Sequence, residues 1–156
     1  VRKVVVSTNI GETSLTIPGI RHVIDSGMVK VKTYNHQTGL ETLKIEKISQ
    51  AQAWQRTGRA GRETNGTCYR LYTEEEFEHL SEAAIPELLR CNLSTVTLQL
   101  LAMGIRDIAN FDFLSKPNIK SIEASIQELI YLKAITSVLE LTDDGKKMAC
   151  FPLDPK

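Results

Sequence analysis

Short apolar runs separated by polar loops fill the first half of the chain. Residues 4–6 are a continuous β-branched run, typical of a strand buried on both faces of a parallel sheet, and the apolar segment of residues 20–24 is predicted to be a second buried strand. The loop of residues 7–14 between them is rich in hydroxyl groups. Because open α/β sheets bind ligands at the ends of their strands, this loop is a candidate binding segment.

Apolar and polar residues then alternate in two stretches, which predicts a long β-hairpin. Its strands are predicted over Val29–Tyr34 and Leu40–Ile48, with turn-forming residues 35–39 between them. Ser49 is a typical helix N-cap. The helix that it opens carries residues 55–62 at its end.

The rest of the chain is predominantly helical by pattern. A strand is predicted over residues 67–72, and Thr73 with Glu76 forms a capping box that opens an acidic helix. Apolar residues then recur at helical spacing: Leu93, Val96, Leu100 and Met103, and again Ile122, Ile126, Leu129 and Ile130. Residues 139–141 are a strand candidate, and Thr142 opens a last short helix. We therefore predict a compact helical domain with a small wing, beginning near residue 83.

Composition excludes several classes of protein. The chain has 156 residues, of which 42% are hydrophobic and 24% charged, as in one folded domain or two small ones. Nineteen basic residues balance nineteen acidic ones, so any contact with a polyanion must be local. Three distant cysteines argue against a zinc site and a disulfide scaffold. No apolar run approaches the roughly 20 residues that span a bilayer, and the start inside a strand-like run predicts a piece of a larger protein.

The most informative pattern lies in residues 55–62. On a helix, Gln55, Arg59 and Arg62 lie on one stripe that holds a long amide, two guanidinium groups and no acid. Arg56 lies off this stripe and adds a third positive charge. Like charges at this spacing are unfavourable for the helix, so the pattern requires another explanation.

Two interpretations of the stripe remain open. Guanidinium groups bind phosphate oxygens directionally, and an arginine at a transferring phosphoryl group contributes about 10³- to 10⁵-fold in rate. Alternatively, the arginines form a solvated basic face or pair with acids elsewhere in the fold. Gly58 and Gly61 each cost about 1 kcal/mol relative to alanine in a helix interior; together with the hydroxyl-rich loop they favour phosphate. The loop alone is weak support, because its side chains also fit ordinary helix caps.

Two motifs together resemble those of one enzyme family. Residues 7–17, Ser-Thr-Asn-Ile-Gly-Glu-Thr-Ser-Leu-Thr-Ile, resemble motif V of DEAH-box RNA helicases, and residues 55–62, Gln-Arg-Thr-Gly-Arg-Ala-Gly-Arg, resemble motif VI. Residues 68–72, 98–100 and 151–153 also resemble the winged-helix region of that family. The likeness covers essentially the whole chain, whereas DEAD-box helicases differ in both motifs. Within the family it is greatest to nucleolar-type helicases linked to ribosome biogenesis.

The resemblance implies an α/β fold, with a partial RecA-like parallel sheet and a β-hairpin followed by a mostly helical winged-helix domain. Residues 1–83 would be the C-terminal part of the second RecA-like helicase domain. Residues 84–151 would be the winged-helix domain, and residues 152–156 the start of the following helical (ratchet) domain. The hairpin would keep the RNA stack apart from the following bases. Its lysines either contact RNA or discourage edge pairing.

The resemblance also implies a role for each matching residue. Catalysis is expected of Gln55, Arg59 and Arg62, nucleotide binding of these three together with Ser14 and Thr16, and RNA binding of Thr8 and Asn9. Arg62 is the expected arginine finger. The sequence departs from the family at Gly11, where alanine is usual, and at Pro18, where several members have an aspartate near the ribose.

The implied parent protein is an ATP-dependent RNA helicase that uses ATP and Mg²⁺, the metal ligands lying outside these residues. Its expected partners are single-stranded RNA, or a duplex with a single-stranded overhang, and a glycine-patch activator protein. No membrane partner is expected. The expected location is the nucleus, in particular the nucleolus, with the cytoplasm as the alternative.

A non-catalytic RNA- or partner-binding module derived from a helicase is the alternative function. The chain has neither a G-x-x-x-x-G-K-[ST] sequence nor an Asp-Glu-Ala-His motif, so the isolated chain is expected to be inactive. The intact set of Gln55, Arg59, Arg62, Gly58 and Gly61 favours the enzyme. Trp54 is expected to pack the motif VI helix onto the sheet; the histidines His22, His36 and His79 have no metal-site spacing.

Overall fold

The computed structural model describes residues 3–35 and 38–151. Its helices and strands, in chain order, are α1 (Ile10–Thr13), β1 (His22–Asp25), β2 (Met28–Asn35), β3 (Leu40–Lys47), α2 (Gln50–Ala60), β4 (Thr67–Arg70), α3 (Glu74–Glu78), α4 (Ser94–Ala102), α5 (Ile119–Tyr131) and α6 (Asp143–Cys150). A short 3₁₀ helix covers Glu87–Leu89. The chain divides into two compact units, residues up to 31 with 43–85, and residues 32–42 with those from 86 onward.

A parallel pair of strands forms the base of the first unit. β1 and β4 pair in register from His22 opposite Thr67 to Asp25 opposite Arg70, and α2 lies in the connection between them. The core beside this pair consists of Val29, Ile48, Ala53 and Leu80. The strands β2 and β3 are hydrogen-bonded neighbours and confirm the predicted hairpin. Two residues of the predicted turn, His36 and Gln37, lie outside the described residues.

The predicted burial of residues 4–6 and 20–24 is wrong. Residues 4–6 form no strand, and Val4 and Val6 are 79% and 96% exposed. In β1, Ile24 is 73% exposed whereas Asp25 is buried, so the described residues cover only one face of this sheet. Burial on both faces requires segments that pack from both sides, and an apolar run does not report whether they are present.

Local side-chain caps fix the ends of several helices as predicted. Ser49 and Gln52 form a complete capping box at the start of α2. Thr73 and Glu76 form a second one at the start of α3. At the start of α6, the backbone N–H of Gly145 donates to the Thr142 hydroxyl over 3.0 Å. These caps satisfy helix N–H groups that have no partner within the helix.

Helices dominate the second unit. Its core is formed by Leu93, Leu98, Leu100, Leu101, Ile108, Ile122, Leu129, Ala134 and Ile135. The predicted strand at 139–141 is instead a single antiparallel bridge between Ile135 and Leu141. A Cβ on Gly145 would collide with the Ala134 carbonyl, so α6 can approach this closely only because it has glycine there. No helix of the described ranges is long and apolar enough to cross a membrane.

Candidate functional site

Helix α2 positions the polar side chains that the sequence singles out. It ends at Ala60 and is capped by Gly61, so Arg62 lies just beyond the helix. The predicted helical stripe therefore holds for Gln55 and Arg59 only. Loss of helical geometry at Gly61 does not separate the three side chains, because Gln55, Arg59 and Arg62 line one open pocket of about 370 Å³.

Thr13 and Gly58 complete the lining of this pocket. Thr13 is a functional candidate that the analysis of the sequence did not single out, although it lies in the hydroxyl-rich loop. Gly58 offers open space, since a Cβ built there meets no atom within 4 Å. Packing within the chain therefore does not explain this glycine. A ligand or a second surface approaching the pocket would explain it.

Both pocket arginines bond to the segment that follows α1. The Arg59 guanidinium donates to the Leu15 carbonyl over 2.9 Å, and that of Arg62 donates to the Thr16 hydroxyl. No carboxylate in the described part of the chain bonds to either arginine. Each guanidinium has five N–H donors, so most of their capacity for an anion is left over.

The remaining predicted residues lie in or beside α1 but do not line the pocket. Ser14 is exposed, and its hydroxyl lies 3.4 Å from that of Thr13. Thr8 and Asn9 are exposed; Asn9 is the N-cap of α1, but its side chain makes no capping hydrogen bond. The Thr8 carbonyl accepts from the Gly11 N–H over 3.1 Å. The structure thus brings Thr16 to the arginines and leaves Ser14, Thr8 and Asn9 open to solvent.

Arg56 has different partners from the pocket arginines. Its Nε donates to the Glu12 carboxylate over 2.9 Å, and its Nη1 donates to the Asp25 carboxylate over 2.7 Å. Its Nη2 donates to the Met28 carbonyl over 3.2 Å. The Glu12 and Asp25 side chains are 6% and 0% exposed. Arg56 is therefore an arginine that pairs with acids elsewhere in the fold, which was the alternative to phosphate binding for the arginines of this segment.

Further donors satisfy the two buried carboxylates. The Gln52 amide donates to Glu12 over 3.2 Å. The Tyr72 hydroxyl and the Gly27 N–H donate to Asp25 over 2.9 and 3.0 Å. We call Glu12, Asp25, Gln52, Arg56 and Tyr72 the buried network. Neither of its two acids is predicted from the sequence, although Glu12 is the only acid in residues 7–17 and Asp25 directly follows the apolar segment of residues 20–24.

The network shifts the pKa values of Arg56 and Tyr72. Burial lowers the pKa of the Arg56 guanidinium, but the hydrogen bonds to Glu12 and Asp25 outweigh burial and leave the pKa above its ordinary value. Burial, together with the hydrogen bond to Asp25, raises the pKa of Tyr72 to about 12. Arg56 is therefore a permanent cation, and Tyr72 a permanent donor, at physiological pH.

Trp54 contacts the sheet through Arg70, the last residue of β4, but it is not buried there. Trp54 is 60% exposed, and its ring lies 4.8 Å from the Arg70 guanidinium carbon. The same carbon lies 4.3 Å from the Phe77 ring, so Arg70 stacks on both aromatic residues. No group of three or more His, Cys, Asp or Glu side chains among the described residues could hold a metal ion.

The sequence of this chain matches known helicase families and relatives. The family "Helicase conserved C-terminal domain" matches residues 1–64, and the family "Helicase associated domain (HA2), winged-helix" matches residues 125–153. The ATP-dependent RNA helicase DHX33 of Homo sapiens is 56% identical over 158 aligned positions, which cover 99% of this chain. This chain belongs to the DEAH-box helicase family.

Other relatives agree with this assignment. The Arabidopsis thaliana pre-mRNA-splicing factor ATP-dependent RNA helicase DEAH10 is 49% identical over 99% of this chain. The crystal structure of the Escherichia coli DEAH/RHA helicase HrpB superimposes with a TM-score of 0.82 at 38% identity over 96% of this chain, and confirms the α/β fold class. This DEAH-box chain spans only 22% of the human and plant relatives and 19% of the bacterial chain.

Proposed function

We propose that the full-length parent of this DEAH-box chain is an ATP-dependent RNA helicase, which couples ATP hydrolysis to movement along RNA and to its unwinding. The observation that carries the proposal is the pair Arg59 and Arg62. Both line one open pocket, and no described carboxylate neutralises them. A pair of arginines held in this way is suited to stabilise charge that develops on a transferring phosphoryl group.

The residues of the pocket fit the phosphate end of ATP. In the proposed site, Gln55, Arg59 and Arg62 bind the γ-phosphate and position its attacking water, and Arg62 is the arginine finger. Thr16 orients Arg62 through its hydroxyl, and Ser14 senses the γ-phosphate from the exposed end of α1. Mg²⁺ would neutralise charge on the phosphates; we propose that its ligands lie in other parts of the parent.

RNA is the proposed substrate because the curated relatives are named RNA helicases. We assign Thr8 and Asn9, both exposed, to contacts with single-stranded RNA, alone or as the overhang of a duplex. Such contacts hold the backbone without reading bases. A role in RNA processing and ribosome biogenesis, a nuclear and in particular nucleolar location, and a glycine-patch activator protein belong to the same proposal.

The proposed domain organisation follows the family. Residues 1–83 are assigned to the second RecA-like domain and residues 84–151 to the winged-helix domain. Residues 152–156 are assigned to the start of the following ratchet domain. Half of an ATP site then lies in this chain, so the isolated chain is expected to show no turnover.

RNA-stimulated ATP hydrolysis by the full-length parent tests this function. We expect hydrolysis in the presence of oligouridine RNA to exceed hydrolysis without it, and strand separation of a duplex with a single-stranded overhang to require ATP. Absence of hydrolysis under both conditions would contradict the proposal and support a non-catalytic binding module. Turnover by the 156-residue chain alone would refute its assignment as half a site.

A further inference from the structure

The buried network joins the two elements that carry the proposed chemistry. Glu12 lies in α1, three residues after Asn9 and directly before the pocket residue Thr13. Arg56 lies in α2, directly after Gln55 and less than one turn before Arg59. The bond between Glu12 and Arg56 is therefore a direct side-chain link between α1 and α2.

Geometry distinguishes this link from an ordinary surface ion pair. Arg56 uses three donor atoms on three acceptors, which belong to α1, the end of β1 and the start of β2. A planar guanidinium with three fixed bonds sets the rotation of its helix, which a lysine with its single ammonium group cannot do. The Gln52 amide holds the second oxygen of Glu12, so the carboxylate is itself fixed.

Stability alone does not account for such an arrangement. Replacing buried ion pairs by apolar side chains of similar volume is often neutral or stabilising, so their presence is weak support for a purely stabilising role. Separating Glu12 from Arg56 would leave a buried charge without its partner, which is strongly unfavourable. The link therefore resists any separation of α1 from α2.

We propose that Glu12 and Arg56 are positioning residues that couple RNA binding near α1 to the phosphate-facing arginines of α2, with Asp25 holding Arg56 on the sheet. This inference rests on the proposed function. Neither Glu12 nor Arg56 lines the pocket, and neither is exposed to solvent as Thr8 and Asn9 are. We therefore expect them to affect the coupling between RNA binding and nucleotide binding without contacting either ligand.

Thermodynamic coupling between the two ligands tests the inference in the full-length parent. The dissociation constant for oligouridine RNA is measured with and without the non-hydrolysable analogue AMP-PNP, and the ratio of the two constants gives the coupling. RNA stimulation of ATP hydrolysis is measured beside it. The variant is Glu12→Gln. The matched control is Glu76→Gln, which removes the charge of the exposed Lys47–Glu76 pair and keeps a side chain suited to its capping box.

In Glu12→Gln we expect a lower thermal midpoint, because Arg56 loses one buried partner, but a protein that is still folded at the assay temperature. RNA affinity without nucleotide should stay within about twofold, while the coupling ratio moves to near one and RNA stimulation falls by about tenfold or more. The Glu76→Gln control keeps both values. Wild-type coupling in folded Glu12→Gln overturns the inference, and so does loss of RNA affinity in step with the coupling.

A second variant covers the case in which Glu12→Gln fails to fold. Arg56→Lys keeps the positive charge but loses the planar guanidinium that makes three bonds at once, and we expect the same loss of coupling. Wild-type coupling in Arg56→Lys overturns the inference. A wild-type parent whose hydrolysis does not respond to RNA overturns the proposed function, and the inference with it.

Discussion

Helix α2 and the residues directly after it present two kinds of arginine. Arg56 faces inward, where two buried carboxylates and a carbonyl occupy its donors. Arg59 and Arg62 line an open pocket and bond to one carbonyl and one hydroxyl. The first arginine is paired with carboxylates within the fold, whereas the bonds of the other two go to neutral groups.

This contrast shows how one short motif serves two purposes. Residues that look equivalent in Gln-Arg-Thr-Gly-Arg-Ala-Gly-Arg differ because the helix turns them toward different surroundings. The inward arginine is expected to affect stability and coupling. The outward pair is expected to affect the rate of hydrolysis and leave the fold intact.

The largest expected effect is a loss of ATP turnover when a pocket arginine is replaced. In the full-length parent, Arg59→Ala should lower RNA-stimulated ATP turnover by about 10³-fold, because phosphoryl transfer loses an arginine from its transition state. The thermal midpoint should stay close to that of the wild type, since no described carboxylate loses a partner. A steady-state assay beside a melting curve measures both, and near-normal turnover would contradict the assignment.

For Arg56, which faces inward, we expect a loss of stability. Arg56→Ala leaves Glu12 and Asp25 buried without their cation, and we expect a loss of about 3–5 kcal/mol in local stability. Native-state hydrogen exchange of α1 and α2 in the parent measures it. Arg106→Ala is the control, because its pair with Glu140 is exposed and is expected to contribute less than about 1 kcal/mol. Equal effects of the two substitutions would refute the structural role of Arg56.

Gly58 tests whether the pocket side of α2 is shaped for something outside the chain. Gly58→Ala should leave stability unchanged or raise it by up to about 1 kcal/mol, since alanine is the better helix former and its Cβ meets nothing. ATP turnover should nevertheless fall, by up to about 10²-fold, if a ligand approaches the backbone. Gly145→Ala is the reverse control, because it collides with Ala134 and should lower stability. Unchanged turnover in Gly58→Ala would show that its open space has no function.

The smallest expected effect concerns Tyr72 at the edge of the buried network. Tyr72→Phe removes one hydrogen bond to Asp25 and should cost about 1 kcal/mol. Because the pKa of Tyr72 is raised to about 12 in the folded protein, its contribution is complete below its ordinary pKa and is lost as the pH rises toward 12. Unfolding curves at neutral and alkaline pH measure the difference between variant and wild type. A difference that does not shrink with rising pH would contradict the raised pKa.

Features that depend on neighbours in sequence were predictable. The N-cap at Ser49 and the capping box at Thr73 are confirmed, because each is decided by residues within three positions of one another. The hairpin is confirmed for the same reason, as alternation and a short turn specify it locally. The resemblance to DEAH-box helicases rested on two such local motifs and is confirmed by the relatives.

Features that depend on distant partners were not predictable. Arg56 bonds to residues 44 and 31 positions away, so nothing in its own segment identifies Glu12 and Asp25 as its partners. The prediction that residues 4–6 are buried is wrong for a related reason, because an apolar run does not show which segments cover it. Trp54 stacks on Arg70 after β4 brings that arginine beside α2. The catalytic and RNA-binding roles of individual residues stay predictions.

RNA-stimulated ATP turnover of Arg62→Ala, measured in the full-length parent beside Arg106→Ala, shows whether the pocket arginines act on the phosphate of ATP. We expect Arg62→Ala to lose about 10³-fold or more in turnover while its melting curve matches that of the wild type. Arg106→Ala should keep normal turnover. Near-wild-type turnover in Arg62→Ala would contradict the claim that the open side of α2 serves the phosphate of ATP.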